Sequence, residues 1–283
     1  MSDLTEQRRT SFDAAACAYD NARPGYPEQM VDAILSYAQL PARPRALEVG
    51  SGTGQATAQF AWRGIAVDAI EPGAAMAALT REKFDGSGLE VTVQVADFES
   101  AEIEPGAYDL VLASTSWHWL TPGARWERVS EALRPGGAIA AFWTLPHWRR
   151  TPLRPALDAA YERSGADLAT LGPMADVEVE HDLLARQWLL YAPRREAFSD
   201  LRSAVYRWTE LYDAAGYAEL LSTYGDHLAL DPAVRETLLE GVRGVVDEAG
   251  GEIEVHYSTH LLLARASATV GECAATSSRA ASA

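Results

Sequence analysis

ALEVGSGTGQA, residues 46–56, joins a short apolar run to three glycines spaced two apart. Ala46–Val49 is too short for a buried helix and suits a strand buried on both faces. Glu48 stands near its end, Gly50, Gly52 and Gly54 follow, and from about Gln55 to Arg63 the pattern turns helical. Strand, glycine loop and helix in that order bring backbone close to a ligand at the carboxyl edge of a sheet. The stretch therefore predicts an α/β fold and asks which nucleotide-like ligand the loop holds.

Outward from it the rhythm repeats. Strands are predicted over Ile65–Ile70, Glu90–Val95, Tyr108–Ala113 and Ala138–Thr144, with helices over Ala74–Phe84 and Gly123–Leu133. Upstream, helices are predicted over Phe12–Ala22 and Glu28–Gln39; the second places Met30, Val31, Ile34, Leu35 and Ala38 on one face. After Pro146 the rhythm changes: a helix over Pro155–Gly165, a strand over Arg186–Tyr191, and helices over Arg194–Tyr212, Gly216–Tyr224 and Pro232–Glu248. Glu254–Ala264 alternates as a closing strand. Alternating strands and helices imply right-handed βαβ units in a doubly wound sheet. The expected organisation is an N-terminal helical lid (1–40), a ligand-binding core (41–145), a helical cap with the last two strands (146–265) and a low-complexity, disordered tail (266–283).

The strand ends choose the ligand. A dinucleotide loop reads G-x-G-x-x-G; here the loop is G-x-G-x-G, and Gln55 stands where that pattern wants glycine. Glu48 beside the loop would repel a pyrophosphate and suit a ligand with a cationic end. S-adenosylmethionine has a sulfonium and an ammonium and no phosphate. Glu71, at the tip of the second strand, can accept from two ribose hydroxyls. Asp97 and Phe98, after the third, suit an adenine amino group and its ring. A plain strand-to-helix turn is the competing reading of the glycines, and the later acids weigh against it. Pro72 and Met76 follow the ribose acid; Met76 serves equally as helix packing.

With those residues, the chain resembles the class I S-adenosylmethionine-dependent methyltransferases. LEVGSGTG matches their first motif, AIEPGAAM the second, VADFE the third, YDLVLAS the fourth and LRPGGAIAAFW the fifth. The opening FDAAACAYDNARPGYP is similar to a branch acting on small molecules, that of trans-aconitate methyltransferase and bacterial natural-product enzymes. The resemblance implies a seven-stranded, mostly parallel sheet with an antiparallel last strand and helices on both faces. It implies cofactor contacts at Ser51 and Thr53 in the loop and at Ser114, and a lid segment over the cofactor in which Tyr19 and Arg23 reach it, Arg23 by pairing with its carboxylate. A structural lid with a satisfied arginine is the alternative.

For the acceptor, STSWHWL (114–120) follows the fourth strand. His118 can act there as a general base near neutral pH, or simply hold the loop. Tyr19 is a second candidate for catalysis. Trp117 can face a sulfonium with its ring or pack against helices. Tyr26, Trp119, Trp148 and Tyr206 are candidates for the acceptor pocket, along with His118, although most aromatics after Pro146 belong to core. His147, Arg149 and Arg150 can grip an anion or make a solvated turn. Methyl transfer is an in-line displacement that needs alignment first and a base only if the nucleophile must lose a proton.

Composition limits the partners. Forty acids against 24 bases give a formal charge of -16 over 283 residues, a field that repels nucleic acid and anionic membranes. Two cysteines, Cys17 and Cys273, form neither a metal set nor a disulfide framework, and no apolar stretch reads as a leader or membrane span. A cytoplasmic protein without metal is expected, with its oligomeric state open. The function expected is methylation of a small, largely apolar or aromatic acceptor, as in secondary metabolism. Two alternatives are cyclisation coupled to or replacing methylation, and non-catalytic sensing of the cofactor.

Overall fold

The computed structural model describes residues 13, 15–147, 150–166 and 197–267. Helices α1 (Ala16–Ala22) and α2 (Glu28–Ala38) come first. The alternating core follows: β1 (Arg45–Val49), α3 (Gln55–Ala61), β2 (Ala66–Glu71), α4 (Ala74–Phe84), β3 (Val91–Val95), β4 (Tyr108–Ser114), α5 (Pro122–Ala132) and β5 (Leu133–Pro146). Then come α6 (Arg154–Ser164), β6 (Phe198–Asp213), α7 (Ala214–Ser222), α8 (Gly225–Leu228), α9 (Pro232–Glu248) and β7 (Glu252–Ala266).

The strands form one seven-stranded sheet in the order β3-β2-β1-β4-β5-β7-β6. β1 lies parallel between β2 and β4, and β7 runs antiparallel to both β5 and β6. This is the expected sheet with its antiparallel last strand. The chain runs from β1 out through β2 to β3 and then returns to β4 on the other side of β1, so the crevice opens beyond the carboxyl ends of β1 and β4. Ala46 to Val49 of β1 and Tyr108 to Ala113 of β4 are buried on both faces, which is why they read as apolar runs.

Three packed regions hold the sheet. One face carries α2 and α3, with Met30, Ile34 and Phe60 against Leu110, Phe142 and Leu261. The other carries α5, with Trp126 and Val129 against Val111 and Ile139. A third core joins α6, α7 and α9 to the start of β7 through Leu157, Tyr217, Val242 and Tyr257. Each fully buried side chain of this kind stabilises the fold by roughly 1.5–3 kcal/mol. No described helix is long and apolar enough to cross a membrane.

One expectation is overturned. Arg194–Tyr212, expected as a helix, contains instead the sixth strand, Phe198–Asp213, paired with β7 from Phe198↔Ala266 to Asp213↔Glu252. Leu201, Val205, Trp208 and Tyr212 recur at helical spacing, but Tyr206, Trp208 and Tyr212 also share one face of a strand and pack inward. The backbone donors and acceptors along β7 decide for pairing. The stretch expected as the sixth strand, Arg186–Tyr191, and residues 268–283 of the expected tail lie outside the described residues.

Candidate functional site

The loop after β1 is held from two sides. Gly50 N donates to Ile70 O at 2.8 Å, which ties the loop to β2. Gly50 has φ +69°, and a Cβ there would sit 2.6 Å from Ser116 Cβ. Gly52 has φ +58°, and a Cβ there would meet nothing closer than Tyr19 Cε1 at 3.8 Å, so it would project into open space. Thr80 of α4 donates to Gly52 O at 3.0 Å and buttresses the loop from below. Glu71, buried at the tip of β2, accepts from Gly52 N and Gly73 N, both at 2.8 Å. A carboxylate oxygen carries two lone pairs and can accept from a hydroxyl as well as from an N–H.

These groups line a cavity of about 570 Å³ at the carboxyl edge. At one end are Gly50, Gly52, Glu71, Pro72, Met76 and Phe98. After β4 and at the end of β5 come Thr115, Leu120, Thr144, Leu145 and Pro146, and Tyr224 of the cap lines it too. Ser114, His118 and Trp119 line it as well, and Tyr19 and Arg23 of the first helical segment form another side. Asp13 and Glu71 stand together beside Gly73, where the paired negative charge disfavours a pyrophosphate and favours a cation, while Glu99 and the Arg23 guanidinium line the cavity as well. A sulfonium nucleoside fits this wall: an open glycine cradle, a carboxylate for the ribose, and Met76 and Phe98 for the base.

The remaining predicted residues stand elsewhere. Glu48 does not line the cavity. Successive strand side chains point to opposite faces, and Val49 takes the cavity side. Glu48 is fully buried beneath the loop, where it accepts from Thr57 Oγ1 at 2.5 Å and Ser114 Oγ at 2.9 Å. Burial pushes its carboxyl up to about 7, against the opposing effect of those two hydrogen bonds. It ties β1 to Thr57 of α3 and to Ser114 at the end of β4. Ser51, Thr53 and Gly54 are buried behind the cavity. Asp97 is exposed and only its neighbour Phe98 reaches the site. Trp117 is buried against Trp126, with the Arg125 guanidinium 5.0 Å from its ring centroid. Tyr26 stands behind the cavity wall, its hydroxyl 3.4 Å from Thr115 Oγ1. Tyr206 lies on β6 and packs on the α2–α3 side, away from the cavity. Trp148 and Arg149 lie outside the described residues.

His118 is solvent-accessible and open to the cavity it lines. The surrounding protein, and secondly the charge of Arg125, lower its pKa to about 4. At neutral pH the ring is neutral. Arg23 donates to Thr223 Oγ1 and Thr223 O at 2.8 and 3.0 Å, and its guanidinium lies 4.1 Å from the Tyr224 ring centroid. It ties α1 to the cap and presents its edge to the cavity.

The pattern of the methyltransferase domain family matches residues 46–137. An uncharacterized methyltransferase of Geobacillus kaustophilus is 30% identical over 167 residues, 56% of this chain and 76% of that protein. The chain belongs to the class I methyltransferase family. An uncharacterized methyltransferase of Mycobacterium tuberculosis is 34% identical over 134 residues, 47% of this chain and 51% of that protein. The chain thus spans about half the length of that relative. The phosphoethanolamine N-methyltransferase 2 of Haemonchus contortus, solved with S-adenosyl-L-methionine, superposes with TM-score 0.53 at 16% identity over 94% of this chain and 60% of that one. At that identity the likeness is one of fold.

The cavity also holds residues that the motifs do not announce. Asp13 Oδ1 accepts from Ala75 N and Met76 N at 2.8 and 3.1 Å, so the chain before α1 caps α4 at the cavity rim. Glu99 lines the cavity and accepts from Thr121 N at 2.9 Å. Thr115 has φ 54°, a left-handed conformation costly for a β-branched residue, at the tip of β4 beside the cavity. No sequence pattern marks Thr115, and nothing marks Asp13 except its place before the lid.

Proposed function

We propose that this methyltransferase binds S-adenosylmethionine between Gly52 and Glu71 and moves its methyl group to a small acceptor beyond the ends of β4 and β5 in the same cavity. The observation that carries the reading is the cavity wall itself: an open glycine and a buried carboxylate at a strand tip, with largely apolar residues beyond the ends of β4 and β5. The cofactor supplies a methyl on a good leaving group, so the chain's work is alignment. Glu71 fixes the ribose, Met76 and Phe98 the base, and Tyr19 and Arg23 close the site against water. Leu120, Leu145, Pro146, Trp119 and Tyr224 support a largely apolar or aromatic acceptor, of the kind found in secondary metabolism. The acidic charge and the sparse cysteines support a cytoplasmic enzyme that acts on a free small molecule.

Calorimetry tests the cofactor. Glu71→Ala is expected to weaken S-adenosylmethionine binding at least about tenfold, the scale of losing charge-assisted hydrogen bonds. Unchanged affinity in a variant that still unfolds cooperatively removes Glu71 from the site. Methyl-labelled cofactor with candidate acceptors tests the transfer: label in a product excludes a purely binding role.

A further inference from the structure

His118 has a partner that decides its chemistry. Trp143 Nε1 on β5 donates to His118 Nδ1 at 3.2 Å. An indole nitrogen can only donate, and a neutral imidazole has one N–H and one lone pair. The lone pair on Nδ1 is engaged, so the hydrogen sits on Nε2. Among the described residues Nε2 has no hydrogen-bond partner, and His118 lines the cavity. Among the charged groups around it, Arg125 opposes a second proton. Arg125 of α5 lies behind, donating to Trp117 O at 3.0 Å. Trp119 packs at 4.7 Å between ring centroids. On β7, His260 pairs across from Trp143. The carboxylates of the cavity wall pull the other way, and each accepts from backbone N–H groups: Asp13 from Ala75 and Met76, Glu71 from Gly52 and Gly73, Glu99 from Thr121.

We infer that His118 serves as a hydrogen-bond donor to the acceptor molecule, with Trp143 fixing the tautomer, and that the acceptor presents an oxygen that is already ionised when it binds. This rests on the methyl-transfer reading above. A general base needs a free lone pair, and the one lone pair of the neutral His118 ring is taken by Trp143. An amine acceptor aligned for transfer would meet the Nε2–H without a lone pair to spare. An oxygen anion keeps lone pairs for both the methyl and Nε2–H. In the step, an oxygen lone pair forms the new O–C bond and the C–S bond breaks. Its electron pair returns to sulfur, leaving a neutral thioether. No proton is released, so none has to be taken up. The oxygen loses charge along this path, so a donor on it steadies the bound acceptor more than the transition state. His118 then acts mainly on KM.

The tautomer is read directly on the full chain labelled with 15N in its histidine rings, with His118→Gln assigning the signal. Between about pH 5 and pH 8, where an ordinary histidine titrates, His118 is expected to keep its hydrogen on Nε2 and not titrate. In Trp143→Phe the preference for Nε2 is expected to relax. An Nδ1–H tautomer, or titration within that window in the wild type, overturns the proposal. Transfer from methyl-labelled cofactor is then followed to aryl and alkyl carboxylic acids and phenols, each paired with the amine of the same skeleton. Label in the acids supports the proposal, and label in the amines alone overturns the acceptor class. Label in neither counts against methyl transfer, and the spectra still decide His118. For a methylated acid, His118→Ala should raise KM about tenfold with kcat nearly kept, and His118→Gln, whose amide also donates, should recover most of it. A collapse of kcat at constant KM overturns the donor role.

Discussion

Single residues here do work that depends on which way they point. Gly52 faces the cavity and needs a left-handed backbone, so Gly52→Val is expected to lower S-adenosylmethionine affinity by more than about a hundredfold, by filling the ligand's space and straining φ. Calorimetry on the folded variant checks this, and near-normal binding would place the ligand elsewhere. Glu48, one strand position from Val49, points the other way and meets no solvent. Its carboxyl holds a proton to about 7 in the fold and to the ordinary carboxylate value in the open chain. A carboxyl raised in this way gives stability that is full at low pH and is lost as pH rises through the folded value. Glu48→Gln mimics the protonated form without titrating. Between about pH 5 and pH 8 the wild type should therefore lose up to about 3 kcal/mol of stability relative to Glu48→Gln. Urea unfolding at a series of pH values measures the difference, and a constant gap would mean that Glu48 stays ionised in the fold.

At the scale of elements, the alternating core was legible because buried parallel strands leave apolar runs between clear turn residues. β1, β2, β4 and β5 fall where the sequence placed them, within a few residues. β6 was not legible: its apolar positions satisfy a helical and a strand period together, and its partner β7 begins some 40 residues after β6 ends, beyond any local signal. The site divides in the same way. Glu71, Gly52 and Phe98 sit at strand tips that the glycine loop locates. Glu48 was expected beside the loop, and it stands there but does not line the cavity, because a motif gives position along a strand and the pleat gives direction. Asp13, Glu99 and Tyr224 enter the cavity from a lid, a loop and the start of the cap, where no spacing rule ties them to the loop.

The whole molecule closes over its cavity mainly by polar contacts made by α1. Asp20 receives Lys83 Nζ at 2.7 Å on the core side, and Arg23 reaches Thr223 on the cap side. Only Ala16 and Ala22 of α1 are buried, so little apolar area holds it down. Part-exposed ion pairs and hydrogen bonds contribute about 1 kcal/mol each at most, and such a segment opens at far lower cost than the cores beneath it. Because Asp13, Tyr19 and Arg23 are cavity wall, an opening of α1 would widen the cavity. Arg23→Leu cuts the tie to the cap and leaves the three apolar cores almost intact. Amide exchange in residues 15–27 is expected to rise severalfold and S-adenosylmethionine to bind several times more weakly, while the thermal midpoint moves by only a few degrees. Exchange confined to unchanged rates in α1, or a midpoint that falls as far as it does for a truncated core residue such as Leu157→Ala, would make Arg23 part of the packed cap and not the latch of a lid.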